Sequence, residues 1–277
     1  MGILSSQASH LTPQSIPKGC DLIPDMKKAI VLSSGGVDST VCVALAVAKY
    51  GAENVATTSI FYGQKHNKEL ECARKVADFY NLKHYEFDLS SVLQFSNCSL
   101  LSQSTQAIEH KSYEQQIADN KAAAVAQSNP DASQDSDAGK TAAAKGKVST
   151  YVPFRNGLML SVCASLAQSI FENDDVEIYL GAHGDDAAGN AYADCSEAFV
   201  STISKAISIG TYEQVRVTAP FAGLSKAEVV KKGLELKAPF ELTWSCYEGG
   251  EKPCGTCGTC IDRARAFAAN NAEDPAL

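Results

Sequence analysis

Short β-branched apolar runs alternate along this chain with longer stretches whose apolar residues recur every three or four positions. Ala29-Ile30-Val31-Leu32 predicts a strand over 28–33, and Val41 to Val47 predicts a helix over about 38–50. A second β-rich run over 55–62 ends at Gly63. From 67 to 80, Leu70, Ala73, Val76, Ala77 and Tyr80 keep helical spacing, and 84–89 reads as a short strand. After an interruption the alternation resumes, with a helix over 158–171, a strand over 176–182, a helix over 196–208 and a strand over 215–219. Ser225-Lys226-Ala227-Glu228 has the form of a capping box, so a helix is expected to start there. Such alternation predicts an α/β fold, a doubly wound and mainly parallel sheet with helices on both faces. Ligands on these sheets sit at the carboxyl ends of the strands, where the loops at 33–39 and 62–66 fall. No internal repeat is evident.

Two stretches fall outside this pattern. The first 26 residues hold Pro13, Pro17 and Pro24 and no apolar core of a signal peptide, and read as a flexible tail. Residues 102–147 break the alternation, and 120–147 are almost all Ala, Ser, Gln, Asp, Lys and Gly. That composition buries too little apolar surface to offset the entropy of ordering, so a mobile surface insertion with fraying helical turns is expected. The chain thus divides into a tail (1–26), an α/β domain (27–240) carrying the insertion, a cysteine-bearing segment (241–268) and a second tail (269–277).

Composition narrows the classes of partner. A length of 277 residues suffices for one full core, and 45% hydrophobic with 20% charged residues is ordinary for a globular protein. The net charge of −8 argues against a broad nucleic-acid surface, which would need clustered Lys and Arg. No apolar run approaches the length of a membrane helix. A cytoplasmic protein without nucleic-acid or membrane partners is expected.

The most informative chemistry lies at Ser33-Ser34-Gly35-Gly36-Val37-Asp38-Ser39-Thr40, between the first strand and the first helix. A Gly- and Ser-rich turn there gathers backbone N–H groups at the positive end of a helix, which suits phosphate. Gly35 and Gly36 let the backbone approach an anion, and Ser34, Ser39 and Thr40 add hydroxyls. No Lys follows the glycines, so the turn is not the commoner P-loop. The pattern S-G-G-x-D-S instead resembles the loop of ATP pyrophosphatases, which cut ATP between its α and β phosphates. That resemblance implies ATP as an adenylating reagent.

Of ten cysteines, six are scattered and four cluster as Cys246, Cys254, Cys257 and Cys260, spaced C-x7-C-x2-C-x2-C. Four thiolates so close, among glycines that let the chain wrap an ion, suit a closed structural Zn²⁺ site. From spacing alone an iron–sulfur ligand set and four metal-free cysteines stay open.

Further signatures are Tyr62-Gly63-Gln64-Lys65-His66, Val152-Pro153-Phe154-Arg155-Asn156, the segment 185–195, and Trp244-Ser245-Cys246-Tyr247 leading into the cysteines. Together with the loop they resemble the 7-cyano-7-deazaguanine synthase family over about 28–99 and 148–268. The likeness implies an adenine nucleotide alpha-hydrolase-like fold and a homodimer. It also implies conversion of 7-carboxy-7-deazaguanine and ammonia to the nitrile through acyl adenylate and amide, with ATP and Mg²⁺. Asp38, Ser39 and Arg155 are then expected to be catalytic. Ser33 to Thr40, Gln64 and His66 would hold the nucleotide, with Asp38 linked to Mg²⁺. Arg155, Asn156, Asp185, Asp186, Tyr192 and Asp194 would hold the deazapurine, and the four cysteines Zn²⁺. Purely structural roles are the alternative for Arg155, His66 and the acidic loop. The competing functions are an adenylating enzyme with another acceptor, such as a tRNA-thiolating or amide-forming one, and a non-catalytic zinc-ribbon module.

Overall fold

A computed structural model describes residues 27–127, 148–187 and 191–276, without the side chains of 123–127 and 187. Five strands form one sheet: β1 (Lys28–Leu32), β2 (Val55–Phe61), β3 (Lys83–Asp88), β4 (Val176–Tyr179) and β5 (Val215–Thr218). Their order is β3-β2-β1-β4-β5 and every pairing is parallel. Strand β1 is central, with Ile30 in register with Ala56 on one side and Ile178 on the other. The chain winds outward from β1 in one direction, then crosses to the other side through β4. The order therefore reverses between β1 and β4, and a crevice opens at their carboxyl ends.

Because side chains alternate across a strand, β1 feeds two cores. Ala29 and Val31 join Val41, Val229 and Phe267, which come from α1 (Val37–Tyr50), α8 (Lys226–Glu235) and α9 (Gly258–Ala269). Helix α2 (Lys68–Phe79) covers the same face through Val76 and Ala77. Ile30 joins Leu160 and Val200 from α5 (Arg155–Ile170) and α7 (Glu197–Gly210) on the other face. Burial on both sides explains why β1 and β2 read as unbroken apolar and β-branched runs. Phe267 is fully buried and meets Phe240 at 5.1 Å, so Phe267→Ala would cost about 3–5 kcal/mol. The helix expected at Ser225 is present, with both halves of the capping box formed. Two one-turn helices, α3 (Ser90–Leu93) and α6 (Gly184–Ala187), complete the connections. Among the described residues no helix is long and apolar enough to cross a membrane.

The insertion differs from its expectation in its first half. A helix, α4, spans Tyr113–Gln127, and the chain before it is pinned. Ile108, Ser112 and Gln116 are buried, and His110 bonds Thr256 (2.7 Å) and Glu248 (3.0 Å). The anchors are few and widely spaced, which is why composition hid them. Residues 128–147 and 1–26 lie outside the described residues. The expected C-terminal tail is also held to Asp274, whose carboxylate takes a two-pronged ion pair from Arg263 at 2.5 and 2.8 Å.

Candidate active site

The crevice at the switch point is a cavity of about 530 Å³. At one end lies the 33–36 turn. Gly35 has φ +78°, and a Cβ there would collide with the Glu69 carbonyl and stand 2.6 Å from Ala73 N. Only glycine lets the turn lie so flat on α2. Ser34 and Ser39 hydroxyls stand 3.2 Å apart, and Ser39 Oγ also accepts from the Ser34 N–H. The N-terminus of α1 carries no side-chain cap, leaving its first-turn N–H groups for a ligand. A Cβ on Gly181, just past β4, would stand 3.0 Å from the Ser39 nitrogen, so glycine lets that strand end pack closely on the start of α1.

Asp38 stands in the first turn of α1. Its Oδ2 pairs with the Lys226 ammonium and lies 3.8 Å from His183 Nε2, while its Oδ1 is buried without a protein partner among the described residues. Burial opposes the charge on Asp38, but Lys226 and His183 outweigh it and lower its pKa. Asp186 sits behind, 3.5 Å from His183 Nε2, and burial raises its pKa. Asp185 accepts from the Lys226 N–H at 2.8 Å, joining the 183–186 loop to the start of α8. The carboxylates of Asp38 and Asp186, the first with a buried orphan oxygen, form a donor set of hard oxygens that fits a magnesium–phosphate group.

At the other end stand Arg155, Tyr62, Tyr113, Tyr192 and Tyr247. Arg155 opens α5 after Phe154 (φ +53°) and donates to Tyr62 Oη at 3.1 Å with its guanidinium over that ring. Burial works against its charge, but the phenols and Asp194 keep its pKa above the ordinary arginine value. Tyr113 and Tyr247 hydroxyls meet at 2.7 Å, and Tyr192 meets Thr150 at 2.6 Å. Burial pushes the Tyr62 and Tyr192 phenols up to about 12, so both stay neutral hydrogen-bonding groups at pH 7.

Ser33, Ser34, Gly36, Val37, Asp38, Ser39, Gln64, Arg155, Asn156, Asp185, Asp186 and Tyr192 thus line one cavity. Four expected residues do not. Gly35 acts behind the turn. Thr40 is fully buried, because its place in α1 turns it into the core. Asp194 is 4% exposed and accepts from the Asn156 N–H at 2.9 Å, so it orients the start of α5 rather than facing the cavity. His66 packs on Gly249 of the cysteine segment, where burial lowers its pKa.

The family model described as "Queuosine biosynthesis protein QueC" matches residues 28–271. The chain belongs to the QueC family. Relatives named 7-cyano-7-deazaguanine synthase include those of Archaeoglobus fulgidus (34% identical over 251 residues, 90% of each chain) and Hahella chejuensis (34% over 254 residues, 92% of this chain and 93% of that one). Another, from Oceanobacillus iheyensis, is 34% identical over 252 residues, 90% of this chain and 97% of that one. A solved NH3-dependent NAD synthetase from Campylobacter jejuni covers 89% of this chain and 76% of its own at 14% identity, with a TM-score of 0.40. At that score the likeness carries no argument, and the fold rests on the strand order above.

In this QueC-family chain the four clustered cysteines converge. The Sγ atoms of Cys246, Cys254, Cys257 and Cys260 all lie within 4.8 Å of one another, and Cys254 and Cys260 are 4.0 Å apart. A tetrahedral zinc with bonds of about 2.3 Å needs edges of about 3.8 Å, so the cage fits one ion with little movement. Backbone N–H groups of Cys254 and Cys257 point at sulfur (3.3 Å each), which suits thiolates. A hydrogen bond from Cys260 holds the Cys257 thiol pKa low and raises that of Cys260.

Sequence reasoning missed Lys226, His183, Glu69, Tyr113 and Trp244 as cavity residues. Lys226 was visible only as a capping-box position, and Tyr113 was lost inside the insertion. His183 stood beside a quoted signature and Trp244 within one, both without a role. Nothing local marks Glu69, because its position depends on Gly35 resting against α2.

Proposed function

We propose that this chain converts 7-carboxy-7-deazaguanine and ammonia to 7-cyano-7-deazaguanine, cleaving ATP to AMP and pyrophosphate. The observation that carries this reading is the single cavity at the sheet's switch point. It runs from an uncapped helix N-terminus lined with hydroxyls to an arginine set among neutral phenols. The names of the relatives support the same product.

A carboxylate resists nucleophiles because its charge and resonance repel them. Adenylation turns it into an ester with a good leaving group, which ammonia displaces to give the amide. A second adenylation, on the amide oxygen, permits elimination to the nitrile. The turn at 33–39 and the first-turn N–H groups of α1 bind the departing pyrophosphate, where charge grows in the transition state. Lys226 moves its charge from Asp38 towards phosphate as the nucleotide enters. Asp38 and Asp186 would hold Mg²⁺, which neutralises charge on the phosphates. Arg155 binds the 7-carboxylate, and Tyr192 and Asn156 hold the ring beside it. Zn²⁺ on the four cysteines is structural, since four protein ligands leave no open position.

Release of AMP that depends on the deazapurine acid tests this reading. ADP as the nucleotide product, or AMP release indifferent to the acid, would contradict it.

A further inference from the structure

Both nitrogen steps of the proposed reaction shed protons, and the cavity must offer a place for them. Ammonia that attacks an acyl adenylate leaves a nitrogen with one proton too many. The amide nitrogen loses both its protons on the way to a nitrile. The acids at the loop end have other work: Asp38 and Asp186 are the residues that would hold Mg²⁺, and Asp185 accepts from the Lys226 N–H at 2.8 Å. Asp262 lies among Lys226, Arg265 and Asp185 at the same end.

Glu69 is placed differently. It stands in the first turn of α2 and lines the cavity. Its own backbone carbonyl is the atom on which Gly35 rests, so the phosphate-binding turn and this residue are locked together. The Arg155 guanidinium, which lines the same cavity, acts on it, and the Tyr62 and Tyr247 phenols feel its charge. Its backbone thus meets the turn at one end, while its carboxyl lines the cavity and feels the arginine and phenols of the other. Among the described residues its carboxylate takes no hydrogen bond.

We propose that Glu69 is the catalytic base of the nitrogen steps, a role that rests on the reading of the site given above. In the first step the ammonia lone pair forms the C–N bond, the C–O bond to the phosphoryl group breaks, and AMP leaves with that electron pair. Glu69 takes the surplus proton from nitrogen. In the second, the adenylated amide forms C≡N as its C–O bond breaks, AMP leaves again, and the two nitrogen protons pass in turn through Glu69 to water.

The titration of the carboxyl suits the task. A first-turn carboxylate facing an arginine should be more acidic than usual. Burial overrides both effects and raises Glu69 to about 7. A base poised near the working pH transfers protons efficiently in both directions. The charged or titratable groups acting with it are Arg155, Tyr62, Tyr247 and Cys72.

Glu69→Gln tests this with two readouts. The first is ATP–pyrophosphate exchange with 7-carboxy-7-deazaguanine and no ammonia, which isolates adenylation. The second is amide and nitrile formation against pH, expressed per free ammonia. The wild type should show a limb rising through about pH 7. Glu69→Gln should keep exchange within about threefold, lose the limb, and form amide roughly 10²–10⁴ times more slowly. Glu69→Asp should retain the limb at a lower plateau. Wild-type amide formation by Glu69→Gln, an unchanged limb, or parallel loss of exchange and amide would overturn the assignment. Absence of exchange in the wild type would instead refute the functional reading beneath it.

Discussion

The backbone N–H of Trp244 donates to the Gly35 carbonyl across 2.9 Å, tying the 33–36 turn to the chain two residues before the first clustered cysteine. Lys68, at the start of α2, lies 4.4 Å over the Trp244 ring, and Trp244 Nε1 donates to the Cys246 carbonyl at 2.7 Å. The turn, α2 and the cysteine cage therefore brace one another. The cysteine cage thus bears on the 33–36 turn.

Cys257→Ser, or chelation, should therefore first cost stability and bound zinc, with a fall in Tm on the order of 10 °C. Metal analysis and thermal unfolding check this. A zinc-free chain with wild-type Tm and full activity would contradict it.

Asp38→Ala should abolish acceptor-dependent AMP release while leaving the fold intact, because Asp38 lies at the rim of α1 and pairs mainly with Lys226. Far-ultraviolet circular dichroism alongside nucleotide analysis separates the two effects. Retained turnover would sink the loop assignment.

Gly35→Ala should destabilise the chain by about 2 kcal/mol or more, since the new Cβ meets backbone of α2 and φ is positive. Denaturant unfolding measures the loss, and a neutral result would mean that the turn does not lie against α2.

Glu69 gives a pH signature independent of activity. Its folded pKa, about 7, is raised above the ordinary value of 4.5. The unfolded chain therefore ionises first as pH rises. The contribution of Glu69 to stability is highest below about 4.5, falls between there and about 7, and stays low above. The loss is at most about 3 kcal/mol. Glu69→Gln should gain stability relative to wild type between pH 5 and pH 8, read from denaturant midpoints. An identical difference at both pH values would contradict the burial of this carboxyl.

The doubly wound sheet was legible because β1 and β2 are buried on both faces and their helices keep clean periodicity. The 33–39 turn was legible because its chemistry is local: glycine, hydroxyls and one carboxylate in eight residues. Thr40 misled because its hydroxyl is adjacent in sequence yet inward on the helix. Asp194 misled because a carboxylate near the site bonds the Asn156 backbone instead. His66 was read as a cavity residue, whereas Gly249, nearly two hundred residues away, supplies the surface on which it rests. Lys226, Tyr113 and Glu69 enter the cavity through contacts across the fold, between α8 and α1, α4 and the cysteine segment, and α2 and the turn. Such placements leave no mark on neighbouring sequence.

The most direct measurement is product analysis by mass spectrometry of purified protein with Mg-ATP, ammonium and 7-carboxy-7-deazaguanine. The account predicts the nitrile, with AMP and pyrophosphate formed twice per nitrile and the amide appearing before it. A folded, zinc-loaded sample that forms no AMP, or forms AMP without either nitrogen product, would contradict it.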